Sequence, residues 1–208
     1  MNTAIKPIET IYNGYRFRSR LEARWAVFFD ATGIKYQYEP EGFKLSDGIY
    51  YLPDFYLPDS DTFVEIKGVM SEKDTHKIDQ FMKEMEVDFL IGYSDFQFQA
   101  SDAWYSGFSL AKREESVLCR CHDCGKYYFM GWNGKWACKC CGAYDGDGHF
   151  DAILDGDGDI NLSQLFYKRP YDPSDHKGPE IGHYPKAAKI LQAITKARQA
   201  RFEHGERP

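Results

Sequence analysis

The chain has 208 residues, a formal net charge of −6 and a hydrophobic fraction of 43%. That length accommodates one sizeable core or two small domains. No run approaches the roughly 18 apolar residues that a membrane-spanning helix requires, and the first residues lack the continuous apolar stretch of a signal peptide. We therefore expect a soluble, cytoplasmic protein without a membrane partner.

The charge is unevenly distributed along the chain. Net negative charge weakly opposes nucleic-acid binding, because contacts with phosphates favour Lys and Arg. The segment 145–161 holds six aspartates and no Lys or Arg, whereas 117–142 carries a formal +3 and 185–208 a formal +4. Basic surface that suits a nucleic acid therefore remains outside one acidic segment.

In chain order, the first half of the sequence predicts a mixture of helices and strands. Apolar residues recur at helical spacing over 19–32, where Ser19 and Glu22 form a capping-box pattern and Gly33 suits the C-terminal stop. Further apolar patterns predict strands over 35–38, 50–57, 62–68 and 87–93, and a helix over 71–86. The order of these elements predicts a mixed α/β domain that ends near residue 115.

The second half of the sequence predicts less regular structure. Cysteines cluster between residues 119 and 141, in a unit too small to bury a core unaided. Residues 143–183 are rich in Gly, Asp and Pro and predict an irregular connection, and 185–203 predicts a helix with a basic face. We therefore divide the chain into an α/β domain (1–115), a cysteine unit (116–145), and an acidic linker with a basic C-terminal helix (146–208).

Two carboxylates and a lysine fall within a predicted hairpin. The strands that contain Asp54 and Glu65 flank a turn signal at 58–61, and a turn centred on residues 59 and 60 places the two carboxylates opposite each other. Lys67 follows two residues after Glu65 and projects to the same face. Adjacent carboxylates repel each other, and Mg²⁺, which prefers oxygen ligands, relieves that repulsion. The alternative is a surface hairpin with an ordinary ion pair between Glu65 and Lys67.

Four blocks of sequence carry a resemblance to a known family. In order they are Phe17–Ala23, Gly33–Glu39, Leu52–Pro58 and Phe63–Gly68, and together they include Pro53-Asp54 followed by Glu65-Ile66-Lys67. This arrangement resembles the PD-(D/E)xK nuclease superfamily, and within it the phage Holliday-junction-resolving endonuclease I and related transposase-subunit nucleases. The resemblance covers about residues 15–93 and implies a restriction-endonuclease-like mixed-sheet core for the first domain.

The resemblance also implies roles for individual residues. Asp54, Glu65 and the backbone carbonyl of Ile66 would bind Mg²⁺ or Mn²⁺, Lys67 would orient or activate the attacking water, and Glu22 would be an additional acidic residue. The implied activity is that of a metal-dependent endodeoxyribonuclease, phage or mobile-element encoded, acting on DNA that includes branched or junction forms. Junction-resolving relatives act as homodimers. Four arginines surround Glu22 and are candidates for contacts with DNA phosphates, the alternative being a solvated helix face: Arg16, Arg18, Arg20 and Arg24.

Paired cysteines predict a metal site in the second unit. Two Cys-x-x-Cys pairs, Cys121 with Cys124 and Cys138 with Cys141, are separated by thirteen residues and resemble a zinc ribbon. Structural Zn²⁺ is the favoured interpretation, and an iron–sulfur cluster and disulfides are the alternatives. Two further cysteines, Cys119 and Cys140, could exchange with these ligands.

The cysteine unit also contains basic and aromatic residues that suit nucleic-acid contact. The basic candidates are Lys126, Lys135 and Lys139. The alternative is that the aromatic residues cover the small core of the unit itself. A non-catalytic adaptor, which binds nucleic acid or protein through its zinc ribbon on a degenerate nuclease fold, is therefore the competing hypothesis for the whole chain.

Overall fold

The computed structural model of the protein describes residues 7–101, 110–131, 137–144, 150–160 and 185–202. Within these ranges, no helix has the length and apolar character needed to cross a membrane. The helices are α1 (Arg20–Thr32), α2 (Glu72–Met85) and α3 (Pro185–Gln199). The strands are β1 (Thr10–Tyr12), β2 (Tyr15–Phe17), β3 (Gln37–Tyr38), β4 (Phe43–Lys44), β5 (Tyr50–Tyr51), β6 (Phe55–Leu57), β7 (Thr62–Ile66), β8 (Asp88–Gly92), β9 (Phe98–Ser101), β10 (Ser116–Cys121), β11 (Tyr127–Gly131) and β12 (Phe150–Asp155).

A five-stranded mixed sheet with the order β3-β6-β7-β8-β9 lies at the centre of the first half of the chain. β7 and β8 are parallel, as expected for two strands joined by a helical crossover through α2, and the other neighbours are antiparallel. In the β6–β7 hairpin, Phe55 pairs with Val64 and Leu57 with Thr62. The next position in this register sets Asp54 opposite Glu65, as the turn signal predicts.

Helices α1 and α2 cover opposite faces of this sheet. Along β7, Val64 and Ile66 enter the core that contains α1, whereas Phe63 joins the core formed with α2. This alternation is the period of two that a strand buried on both faces requires. Gly92, at the end of β8, permits close packing here, because a Cβ atom at this position would lie 2.7 Å from the Trp25 indole.

A second sheet, in the order β11-β10-β12, packs beside the first. Leu118 and Phe129 from this sheet, and Ile190 and Ile194 from α3, contribute to the same core as α1. Phe98 of β9 stacks edge-on against Phe129, with ring centroids 5.0 Å apart. Side chains from all three predicted units therefore share one core, while the division of the chain into units stays a prediction.

The mixed α/β class predicted from the sequence is confirmed, with helix ends within a few residues of the predicted ones. The restriction-endonuclease-like identity of the core stays a prediction. The prediction of one strand over 50–57 is wrong, because β5 pairs with β4 and β6 pairs in the central sheet. The prediction of an irregular connection over 143–183 is wrong at Phe150–Asp155, which is β12. Residues 145–149 and 161–183 of this segment lie outside the described ranges.

Candidate functional site

Three buried carboxylates come from separate elements of the fold. Glu22 lies in the first turn of α1, Asp54 immediately precedes β6, and Glu65 is the fourth residue of β7. Their exposed fractions are 6%, 3% and 3%. Because charged side chains are rarely buried without partners, the contacts of these three groups indicate what the site can do.

The two carboxylate oxygens of Glu65 have different partners. Its Oε1 lies 2.8 Å from Lys67 Nζ, and its Oε2 accepts a 2.8 Å hydrogen bond from the Tyr51 hydroxyl. Lys77 of α2 lies further away, with Nζ 3.9 Å from the same Oε1, and its ammonium sits over the Tyr51 ring. The α2 face of the sheet therefore surrounds Glu65 with cations and one hydroxyl donor.

Asp54 has two direct partners and two repulsive neighbours. Its Oδ2 accepts a 2.7 Å hydrogen bond from the backbone N–H of Ile66, and its Oδ1 lies against the Arg18 guanidinium. Burial raises the pKa of Asp54, and the carboxylates of Glu65 and Glu22 raise it further, so that it reaches about 8 despite both donors. Burial and the neighbouring carboxylates therefore disfavour the charged form of Asp54 more than its two donors favour it.

Glu22 is held by the start of its own helix and by a tyrosine. Ser19 caps α1 by accepting from the Glu22 N–H, and its hydroxyl donates to Glu22 Oε1 at 2.7 Å. Glu22 Oε2 accepts from the Tyr38 hydroxyl at 2.7 Å and from the Arg18 N–H at 3.1 Å. Ser19 therefore caps α1, but the Glu22 carboxylate accepts from the Arg18 N–H and not from the Ser19 N–H that the predicted capping box requires. The charge of Glu22 also raises the pKa of Asp54.

The surroundings of Lys67 favour its protonated form. Burial lowers its pKa, but the carboxylates of Glu65 and Asp74 outweigh burial and raise the pKa above its ordinary value. Its Nζ lies 3.1 Å from Asp74 Oδ1 in the first turn of α2. A lysine held in this way can orient a water molecule or stabilise a developing negative charge, but it is a poor proton acceptor at neutral pH.

The carboxylate site is looser than a closed metal cage. Within the described ranges, only the four cysteines form a set of three or more His, Cys, Asp or Glu ligand atoms that all lie within 4.8 Å of one another. Asp54 and Glu65 nevertheless supply the hard oxygen ligands that Mg²⁺ prefers, and Mg²⁺ commonly binds through one or two carboxylates and several waters. A divalent cation at these carboxylates and the carbonyl ligand at Ile66 stay predictions.

The four predicted cysteine ligands do come together. Cys121 Sγ lies 3.8 Å from Cys141 Sγ, and Cys124 Sγ lies 3.8 Å from Cys138 Sγ. A tetrahedron with metal–sulfur bonds of about 2.3 Å has edges of about 3.8 Å, so these distances fit one metal ion such as Zn²⁺. An iron–sulfur cluster would space its thiolates further apart, because several irons lie between them.

The two cysteine pairs have matching turns. Gly125 N–H donates to the Cys121 carbonyl and Gly142 N–H donates to the Cys138 carbonyl, at 3.1 and 2.8 Å. Both glycines have positive φ angles, of 70° and 74°, which explains why glycine follows each pair. None of the six cysteines forms a disulfide, and Cys119 and Cys140 lie outside the set of four.

The predicted DNA-binding residues lie in different surroundings. Lys126 and Lys139 join the cysteine unit to the first domain, through ion pairs with Asp59 at 2.7 Å and with Asp88 at 2.8 Å. Lys135 lies outside the described ranges. In both pairs, a carboxylate of the first domain offsets the charge of the lysine.

The four predicted arginines also separate. Arg16 pairs with Glu9 on the surface, with 3.3 Å between Nε and Oε2. Arg18 enters the carboxylate cluster, while Arg20 and Arg24 line a cleft with the end of α3. The sequence predicts one group of four arginines because they are close together in the chain, but their side chains lie in different places in the fold.

Four contacts of the site were missed from sequence, namely Tyr38, Tyr51, Asp74 and Lys77. The tyrosines sit in strand-like segments, where aromatic residues are common for packing reasons alone. Tyr51 stands three residues before Asp54, and that short spacing is the one signal that could have linked it to the site. Asp74 and Lys77 belong to α2, and only the three-dimensional packing brings them to β7.

A scan against protein-family models, a search of curated proteins and a search of solved structures found no match to this chain. The class that the fold and site define is therefore an α/β protein with a buried carboxylate and lysine cluster and a set of four cysteines that could hold a metal ion such as zinc.

Proposed function

We propose that this protein is a metal-dependent endodeoxyribonuclease that hydrolyses phosphodiester bonds in DNA, including branched or junction DNA. The observation that carries the proposal is the clustering of Asp54, Glu65 and Lys67 at the hairpin, where burial and then the carboxylates of Glu65 and Glu22 raise the pKa of Asp54 to about 8. A divalent cation would favour the charged form of Asp54 and offset the repulsion between the carboxylates. The sequence blocks that resemble the PD-(D/E)xK superfamily support the same activity.

Each residue has a distinct role in this proposal. Asp54 and Glu65 would hold Mg²⁺ or Mn²⁺, which supplies charge neutralisation at the phosphate and lowers the pKa of a bound water. Lys67, a protonated ammonium 2.8 Å from Glu65, would orient the attacking water or stabilise charge at the scissile phosphate. Glu22, fixed by Ser19 and Tyr38, would accept a hydrogen bond from a water on the helix side of the cluster.

Arg18 has a second role as a replaceable counter-charge. Its guanidinium lies against Asp54 and 2.9 Å from Glu39, yet half of its side chain remains exposed. An exposed arginine can move toward solvent when another cation approaches the carboxylate, because long side chains keep their charged heads in water. Arg18 would then be free to contact a phosphate next to the scissile bond.

The cysteine site would hold structural zinc in this proposal. Four thiolates fill a tetrahedral ion, which leaves no open position for catalysis. The site would therefore stabilise the small sheet that presents Lys126 and Lys139 to the first domain.

The competing function is a non-catalytic adaptor that binds nucleic acid or protein. The observation that favours it is that Arg18 already pairs with Asp54, and Lys67 with Glu65. In a nuclease fold that no longer binds metal, such ion pairs would take the place of the metal as partners of the carboxylates.

DNA of several structures separates the two functions. We expect the wild-type protein to cut at least one of four labelled substrates in Mg²⁺ and none in EDTA, the substrates being duplex, single strand, fork and four-way junction. Gel analysis of labelled products measures this, and fluorescence anisotropy in EDTA measures binding to the same four. Binding without any Mg²⁺- or Mn²⁺-dependent cleavage would favour the adaptor.

A further inference from the structure

Helices α1 and α3 pack against each other in opposite directions. Lys189, near the start of α3, donates from Nζ to the Thr32 carbonyl at the end of α1, over 2.8 Å. At the other end, Arg20 of α1 and Arg198 of α3 line one cleft. The core between the helices contains Phe28 and Phe29, together with the apolar side of α3. The sequence contains two basic segments far apart in the chain, and this packing joins them.

The cleft at this junction, the arginine cleft, is strongly cationic. It has a volume of about 740 Å³ and its described lining contains four arginines, one phenylalanine and no acidic residue. The arginines are Arg20, Arg24, Arg198 and Arg201, and the phenylalanine is Phe202. The concentration of four guanidinium groups contrasts with the net charge of −6 of the whole chain.

One lining arginine contains an unsatisfied donor. The Nε of Arg24 is buried and has no hydrogen-bond partner in the described structure. Arg198 contacts Asp95, with 3.8 Å between Nε and Oδ1, in an exposed pair that water weakens. A water or an ion is one of the explanations for a buried donor without a partner, and the guanidinium groups around this one favour an anion.

We propose that the arginine cleft binds the phosphodiester backbone of a nucleic-acid strand. Guanidinium groups make paired hydrogen bonds to phosphate oxygens, and the half-buried Phe202 ring offers a surface for a base. The volume falls within the range of about 300–1,000 Å³ that is usual for ligand sites. Identification of the strand as the DNA substrate rests on the proposed function.

The cleft holds the strand away from the scissile bond. Arg20 and Arg24 are four residues apart and share one face of α1, while Glu22 lies between them and points to the other side. The carboxylate cluster and the cleft are thus separated by the body of α1, which is about 10–12 Å across with its side chains. The cleft therefore adds affinity and leaves the chemical step to the carboxylate cluster.

The test compares two variants of the full-length chain in DNA binding. Arg198→Ala with Arg201→Ala removes two exposed arginines of the cleft, and Lys44→Ala with Lys83→Ala removes two exposed cations elsewhere. Fluorescence anisotropy with a labelled duplex and a labelled single strand in EDTA measures affinity at several salt concentrations. We expect the cleft variant to lose about 10-fold or more in affinity and its salt slope to fall by about 2, one for each phosphate contact.

Five further results decide the proposal. The double substitution of Arg198 and Arg201 by Lys should recover part of the affinity, and the Lys44 and Lys83 variant should bind like wild type. Unchanged affinity and salt slope in a cleft variant with wild-type thermal unfolding would overturn the proposal even if the protein cleaves DNA. The proposal would also be overturned if a free nucleotide displaced the labelled DNA at concentrations at which an unlabelled phosphodiester oligonucleotide did not. If DNA binding depends on the arginine cleft but the protein does not cleave any DNA, the result supports the proposed role of the cleft and contradicts the proposed nuclease activity.

Discussion

Asparagine in place of Asp54 is expected to reduce metal-dependent cleavage by about 100-fold or more, because it removes one of two proposed metal ligands while keeping the shape of the side chain. The amide can still accept the 2.7 Å hydrogen bond from the Ile66 N–H, so the hairpin should remain folded. Initial rates of DNA cleavage in Mg²⁺ measure the effect. Asp61→Asn is the matched control, since this exposed carboxylate lies in the same hairpin and accepts a 2.9 Å hydrogen bond from the Tyr56 hydroxyl.

The same substitution should change how stability depends on pH. The pKa of Asp54 rises from about 3.8 to about 8 on folding, so the folded state holds this proton more tightly than the unfolded state. Its contribution to stability is fully present below about pH 4 and is lost as pH rises through about 8. In EDTA, the unfolding free energy of wild type should therefore fall across this window relative to Asp54→Asn, as measured by denaturant titrations.

Mg²⁺ should reverse that fall. A cation bound to the carboxylate stabilises the charged form, so wild type at pH 8 should gain stability with Mg²⁺ and Asp54→Asn should gain much less. If Mg²⁺ stabilised both proteins equally, or if Asp54→Asn cleaved DNA at the wild-type rate, the metal would bind somewhere other than Asp54.

Serine in place of Cys138 is expected to remove bound zinc and destabilise the small sheet. Cys138 is 2% exposed and its Sγ lies 3.8 Å from that of Cys124. Loss of a structural metal belongs to the most destabilising class of single changes, above about 4 kcal/mol. Elemental analysis should find one zinc per chain in wild type and much less than one in the variant, with a lower unfolding temperature.

Cys140→Ser is the control that distinguishes ligands from neighbours. Its thiol contacts the Tyr127 carbonyl at 3.8 Å and lies outside the set of four. This variant should keep its zinc. If Cys138→Ser kept one zinc per chain and Cys140→Ser lost it, Cys140 and not Cys138 would be the fourth ligand.

The local parts of the site could be predicted from sequence. A two-residue turn and the period of two along a strand are sufficient to pair Asp54 with Glu65 and to put Lys67 on the Glu65 side. The regular Cys-x-x-Cys spacing likewise identifies the four cysteines that lie within 4.8 Å of one another.

Long-range packing could not be predicted in the same way. Nothing in the local pattern around Arg20 indicates that it shares a cleft with Arg198, because helical periodicity shows which face is apolar but does not identify the partner helix. Strand β12 was missed for a related reason. Its partner β10 lies about thirty residues earlier, and the glycines and aspartates that flank it are typical of turns.

The most direct test of the nuclease proposal is the Mg²⁺ dependence of cleavage by Lys67→Ala beside Lys77→Ala. Both lysines lie near Glu65 Oε1, at 2.8 and 3.9 Å, so the pair controls for general loss of positive charge. We expect cleavage by wild type that saturates with Mg²⁺, a loss of about 100- to 1,000-fold in Lys67→Ala, and a much smaller loss in Lys77→Ala. Cleavage by Lys67→Ala at the wild-type rate, or equal activity of all three proteins in EDTA, would contradict the proposed site.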